Sequence, residues 1–170
     1  RNVYNILTAV FGAILLPIWS RYTVEAAEHN YTWIKKCIRI QLFIWMIGII
    51  GVVFLTILFV PLTSIWLHRE LEVSIPFLII MGLLIISEMF TAIFSNFLNG
   101  ISHVNKQVAV SLFGAIINIP LSIFFARNCG MGIAGICLGT LVCQLMGCIV
   151  LPLDARKYIK EKEKKSHQSQ

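Results

Sequence analysis

Charged side chains are scarce in this chain. Asp, Glu, Lys and Arg make up 13% of its residues, about half the share found in soluble domains. Chemistry-bearing motifs are equally absent. There is no Gly-rich phosphate loop, no nucleophile elbow and no H-E-x-x-H pair, which removes the common hydrolase and nucleotide-binding signatures. The five cysteines, Cys37, Cys129, Cys137, Cys143 and Cys148, include no C-x-x-C spacing, and no histidine cluster accompanies them. A zinc site or disulfide framework is therefore unsupported, and the thiols read as small apolar packers. His29, His68, His103 and His167 are scattered, none spaced from an acid or nucleophile in a catalytic pattern. No catalytic residue, cofactor or metal ligand is expected, and the chain does not read as an enzyme.

What fills the chain instead is hydrocarbon. Hydrophobic residues make up 58% and mean hydropathy is +0.82. Five apolar runs stand out, at about 3–19, 40–67, 75–99, 108–126 and 131–153. About twenty apolar residues cross a bilayer, so the expected fold is an all-α integral membrane bundle of five transmembrane helices. The chain starts with Arg1, and its first apolar run begins at once without the short basic region and cleavage site of a secretory signal, so it reads as a fragment of a longer protein.

Net charge is +6, which in a soluble protein would suggest nucleic acid; here its distribution matters more. Eleven of the fourteen Lys and Arg fall between runs one and two (Arg21, Lys35, Lys36, Arg39), between runs three and four (Lys106), or after run five (Arg156, Lys157, Lys160, Lys162, Lys164, Lys165). Only Arg1, Arg69 and Arg127 fall on the other side. The positive-inside rule then places the C-terminus in the cytoplasm, and residues 155–170 are expected to be a basic, disordered cytoplasmic tail. Residues 21–39 are expected to form an interfacial helix, with Asn30 able to cap a second segment and Trp33, Lys35, Lys36 and Arg39 suited to membrane headgroups.

The third run organises the rest. It carries Glu88 near its middle, and at about 100° per residue Glu88, Thr91, Ser95 and Asn99 share one arc. Such a face against lipid would cost several kcal/mol, about 3 for the acid alone, so it should point into protein or a wet cavity. Run four places Ser111, Gly114, Asn118 and Ser122 on one face, with Pro120 beside Asn118; a kink is expected there, as in the broken helices of transporters. Run five offers a seam of small residues, Gly132, Gly135, Gly139, Cys143 and Gly147, read as intramolecular helix packing in preference to dimerisation. Candidate cavity-lining residues are thus Glu88, Thr91, Ser95, Asn99, Ser111 and Asn118. Thr91 and Ser95 serve equally well as interhelical glue. Glu88 has three open roles: coupling transport to an ion gradient, pairing with a cation elsewhere, or hydrogen bonding as a neutral acid to Asn118 or Ser111.

The segments LLPIWSRYTVEAAEHNYTWIKKCIRI, FLNGISHVNKQVAVSL, NIPLSIFFA and GMGIAGICLGT, in that order and spacing, resemble the C-terminal part of polysaccharide-biosynthesis flippases. These are the O-antigen and other lipid-linked oligosaccharide transporters of the multidrug/oligosaccharidyl-lipid/polysaccharide exporter superfamily. The resemblance runs from Leu15 to about Leu153. It implies the last five of twelve helices, with a missing N-terminal half as partner, and a bacterial inner-membrane location. The implied cargo is an undecaprenyl-diphosphate sugar, carried from the cytoplasmic to the outer leaflet for cell-surface polysaccharide. Members use cavity cations to engage the diphosphate. The five runs here contain no Lys or Arg, so such cations would belong to the missing part, without which the fragment should not transport. Alternatives are a multidrug/cation antiporter of the same superfamily and, further off, a membrane enzyme or a structural membrane subunit.

Overall fold

The computed structural model describes residues 2–67 and 74–168, and the side chains of 4–59 and 74–166. Arg1 and Arg69 of the charge reading, and His68 among the histidines, lie outside the described residues. The rest is helical: α1 (Asn2–Ala27), α2 (Tyr31–Leu67), α3 (Ile75–Gly100), α4 (Asn105–Ile123), a π-helical turn (Phe124–Asn128) and α5 (Gly132–Gln168). All five α-helices belong to segments long and apolar enough to cross a membrane.

Helix α3 is the hub. In its most apolar window 61% of residues are buried, against 6–17% in the other four segments, because α1, α2 and α5 all pack around it. Its helix starts after Ser74 with Pro76 in the first turn, where the missing N–H is no loss. Met81, Leu84, Ile85, Met89, Ile93, Phe94, Phe97 and Leu98 then form the central part of the core. The outer helices turn apolar side chains outward. On α2, Phe43, Met46, Ile50, Phe54 and Ile57 are all exposed, as are Val108, Leu112, Ile116 and Ile119 on α4. Residues spaced three and four apart share one helix face, so α2 and α4 each present a hydrocarbon stripe to their surroundings. Water penalises that arrangement and lipid does not.

Polar ties hold the helices in register. Tyr4 Oη lies 2.9 Å from Thr56 Oγ1, Trp45 Nε1 donates to the Ile86 carbonyl at 2.9 Å, and Asn96 Nδ2 donates to the Leu15 carbonyl at 2.8 Å. Tyr22 Oη donates to the buried Gln41 Oε1 at 3.0 Å. At Gly100 a Cβ would lie 2.9 Å from the Trp19 carbonyl and from Tyr22 Cβ. Only a residue without Cβ lets α1 and α3 approach that closely.

Two expectations change. The interfacial helix over 21–39 does not exist as a unit: residues 21–27 complete α1 and 31–39 open α2. The break falls at His29 and Asn30 because the Asn30 N–H bonds the Glu25 carbonyl and the His29 N–H the Ala26 carbonyl, a Schellman stop. Asn30 does cap the second segment, its Oδ1 accepting the Trp33 N–H at 3.2 Å. The tail is also ordered further than expected. Helix α5 runs to Gln168, because Leu151, Ala155 and Ile159 recur every fourth residue and are all buried, giving the charged segment an apolar stripe to pack with. Beyond these two, the fourth span carries an irregularity past Pro120. The α-helix continues through it to Ile123, and the chain then widens into the π turn, where the Cys129 N–H reaches back to the Phe124 carbonyl.

The connections bring like ends together. Thr23 Oγ1 donates to the Gly100 carbonyl, Lys35 pairs with Glu163, and Lys106 pairs with Asp154. These contacts gather the end of α1, the start of α2, the end of α3, the start of α4 and the far part of α5 at one pole. The basic residues around these two connections and on the far part of α5 share that pole.

Candidate functional site: a polar cleft between three helices

Where α3, α4 and α5 meet they leave a cleft of about 320 Å³. Its walls carry Thr91 and Ser95 from α3, Gln107, Ser111 and Asn118 from α4, and Thr140 and Gln144 from α5. None of its lining residues is charged. From Gln107 to Asn118 the α4 wall runs about 16 Å along the helix axis.

The cleft exists because small residues hold α5 against its neighbours without filling the gap. At Gly139 a Cβ would lie 2.6 Å from Ser122 Oγ, and at Gly135 one would lie 2.6 Å from the Ala126 backbone nitrogen. Gly147 would meet Thr91 Cγ2 at 3.3 Å, and Gly114 would meet Cys143 Cβ at 3.8 Å. The seam on run five is therefore an intramolecular packing surface. Gly132 is outside it: a Cβ there has nothing within 4 Å, and its φ of +53° belongs to the turn that starts α5.

The polar groups form two short chains across this seam. Thr91 Oγ1 donates back along α3 toward the Ser87 and Glu88 carbonyls, both at 3.0 Å, and accepts from Gln144 Nε2 at 2.7 Å. Further along, Asn118 Nδ2 donates to Thr140 Oγ1 at 3.4 Å while its Oδ1 accepts from Ser122 Oγ at 2.7 Å. Gln107 Oε1 is buried without a hydrogen-bond partner. A buried acceptor of that kind costs about 1–3 kcal/mol unless something donates to it.

Four of the six sequence-derived candidates, Thr91, Ser95, Ser111 and Asn118, line this one cleft. Two do not. Asn99 is exposed at the C-terminal end of α3, and Glu88 is half-buried but is not among the lining residues. The Asn118 amide itself bonds Thr140 and Ser122. Gln107, Thr140 and Gln144 were missed. Their signal lay in spacing: Thr140, Gln144, Gly147 and Leu151 share one stripe of α5, and Gln107, Ser111, Gly114 and Asn118 share one of α4.

Asp154 was missed as well. It is 4% exposed, between Lys106 and His103, whose Nε2 lies 3.4 Å from Asp154 Oδ2. Gln107 follows Lys106 and Leu151 precedes Asp154 by one turn, so this ionic cluster sits at the basic-pole mouth of the cleft. Among the described residues no three His, Cys, Asp or Glu side chains converge as a metal site. Compared with family models, curated proteins and solved structures, the chain matches none.

Proposed function

We propose that this chain forms part of a membrane transporter that moves lipid-linked oligosaccharide from the cytoplasmic to the outer leaflet of a bacterial inner membrane. The observation that carries this reading is the uncharged, hydrogen-bonding cleft inside a bundle whose outer faces are hydrocarbon. Thr, Ser, Asn and Gln side chains offer both donors and acceptors, which suits a hydroxyl-rich sugar. An apolar drug would leave the buried, unpartnered Gln107 Oε1 unsatisfied. The sequence resemblance to polysaccharide flippases supports the same cargo class, with the C-terminus in the cytoplasm. The diphosphate would then be engaged by cations contributed elsewhere in the assembled transporter.

The test is genetic and chemical. In cells carrying the intact gene, deleting it should abolish the surface polysaccharide and make its lipid-linked precursor accumulate on the cytoplasmic leaflet. Unchanged surface polysaccharide together with new sensitivity to cationic drugs would replace the sugar reading with the antiporter one.

A further inference from the structure

On the same pole, but outside the cleft, the start of α2 and the far part of α5 border an open cavity of about 420 Å³, lined by Lys35, Arg156, Ile159, Lys160 and Glu163, the three cations being exposed. Three cations against one carboxylate leave two positive charges around it. Their arrangement is unfavourable within the chain itself. Arg156 and Lys160 are four residues apart on one helix face, a like-charge spacing that destabilises a helix. Among the described residues neither has an ion-pair partner. The adjacent pair at the same spacing, Lys157 and Glu161, is oppositely charged and closes to 3.7 Å. Glu163 is taken up by Lys35, whose Nζ lies 2.7 Å from each of its carboxylate oxygens.

Half-buried aromatic rings adjoin the cavity's lining residues along the chain: Trp33, two residues before Lys35, carries the Arg21 guanidinium 5.2 Å over its ring, and Tyr158 precedes Ile159. Trp and Tyr concentrate at the level of the headgroups, and basic pockets between helices at that level attract acidic lipids. The buried Ile159 gives the cavity an apolar floor, matching the glycerol and first acyl carbons below a phosphate.

We infer that Lys35, Arg156 and Lys160 form a site for the phosphate of an anionic phospholipid headgroup, clamping the start of α2 to the end of α5 through a bound lipid. The inference does not depend on what the cleft carries.

The chain is placed in nanodiscs of equal phosphatidylglycerol and phosphatidylcholine, released into neutral detergent, and the lipid that stays bound is read by native mass spectrometry. Phosphatidylglycerol should be retained about tenfold over phosphatidylcholine. K35Q/R156Q/K160Q should bring the ratio near one with unchanged helical circular dichroism, while Lys157→Gln, outside the cavity, should leave it unaltered. Glu163→Gln acts in the opposite direction. It removes the competing carboxylate and frees Lys35, and should raise the ratio about fivefold. That gain of binding remains informative even where the triple variant fails to fold. Equal retention of both lipids by the unsubstituted chain would overturn the site, as would a Glu163→Gln ratio that stays level or falls. Titration with inorganic phosphate should show no saturable heat. Saturable phosphate binding without lipid preference would assign the cavity to a free anion and sink the lipid assignment.

Discussion

Lys106, in the first turn of α4, donates to Oδ1 of Asp154, a carboxylate buried in α5 one turn beyond the last lining residue of the cleft. The two side chains differ in exposure, 51% for Lys106 and 3% for Asp154. That asymmetry decides what each substitution does. Removing Lys106 leaves the buried carboxylate with only His103 beside it, whereas removing the carboxylate leaves a lysine that can turn to water. Lys106→Ala should therefore destabilise the bundle by about 1–3 kcal/mol, and Asp154→Asn by less. Thermal unfolding of purified protein in detergent would measure both. A larger loss from Asp154→Asn would show that the carboxylate, and not its neutralisation, organises this pole.

Two helix stops at that pole share one geometry without the usual residue. After α1, His29 has φ of 58°, and after α3, Ser102 has φ of 55°. In each case the next residue's N–H bonds a carbonyl five residues back, Asn30 to Glu25 and His103 to Leu98. The left-handed conformation costs a non-glycine residue about 1 kcal/mol. Ser102→Gly should thus stabilise by roughly 0.5–1 kcal/mol, since Ser102 is exposed and its side chain makes no hydrogen bond. His29→Gly should gain less, because His29 Nδ1 lies 3.4 Å from Tyr31 Oη and that contact would be lost.

The seam between the π turn and α5 makes a graded prediction. Gly135→Ala drives a methyl against backbone atoms of Phe125 and Ala126, which no rotamer change can relieve, while Gly139→Ala meets a hydroxyl that can rotate as well as the Ser122 backbone. Both should destabilise by about 1–3 kcal/mol, Gly135 the more. Gly12→Ala is the control. Nothing lies within 4 Å of its added methyl, so the gain in helix propensity should leave stability level or up by as much as about 1 kcal/mol. Unfolding in mixed micelles would rank the three.

The parts of this fold that could be read in advance are those where one residue type has one physical outlet. An apolar run from Ile75 long enough to span has to be a helix, and the face bearing Glu88, Thr91, Ser95 and Asn99 calls for neighbours around it. Helix α3 is indeed the most buried helix, though of that face Glu88 stays half-buried and Asn99 exposed. Asn30 as a cap and the glycines of α5 as a contact surface are of the same kind. The charged tail was illegible because its composition masks its period: Ala155 and Ile159 are two apolar residues among many Lys and Glu, and only their register with Leu151 betrays a packed face. Gln144 and Thr140 were overlooked beside the glycines they alternate with, although a polar pair inside an apolar helix carries the same message as Thr91. Asp154 falls immediately past the apolar run that defines its helix, where a charge reads as the end of a span. Its burial depends on Lys106 arriving from a different helix.

The cleft itself separates Glu88 from the residues that share its helix face. Thr91 and Gln144 bridge α3 and α5 at 2.7 Å inside the cleft, and Glu88, one turn earlier, is not part of that lining. Thr91 keeps its bonds to the Ser87 and Glu88 carbonyls when Gln144 is lost, so Gln144→Leu removes a cleft donor without unseating α3. If the cleft holds the sugar, each hydrogen-bonding side chain contributes about 0.5–1.5 kcal/mol toward it. Gln144→Leu should then lower export of lipid-linked oligosaccharide by about two- to tenfold at unchanged membrane abundance, and Asn118→Leu should do the same. Glu88→Gln distinguishes a second role. A carboxylate that couples transport to an ion gradient would, when neutralised, abolish the response of export to that gradient, whereas the two cleft substitutions would lower export at every gradient alike. Measuring export in cells with and without an ionophore resolves the two effects. Loss of export in Glu88→Gln alone, with both leucine variants fully active, would move the transport pathway away from the cleft.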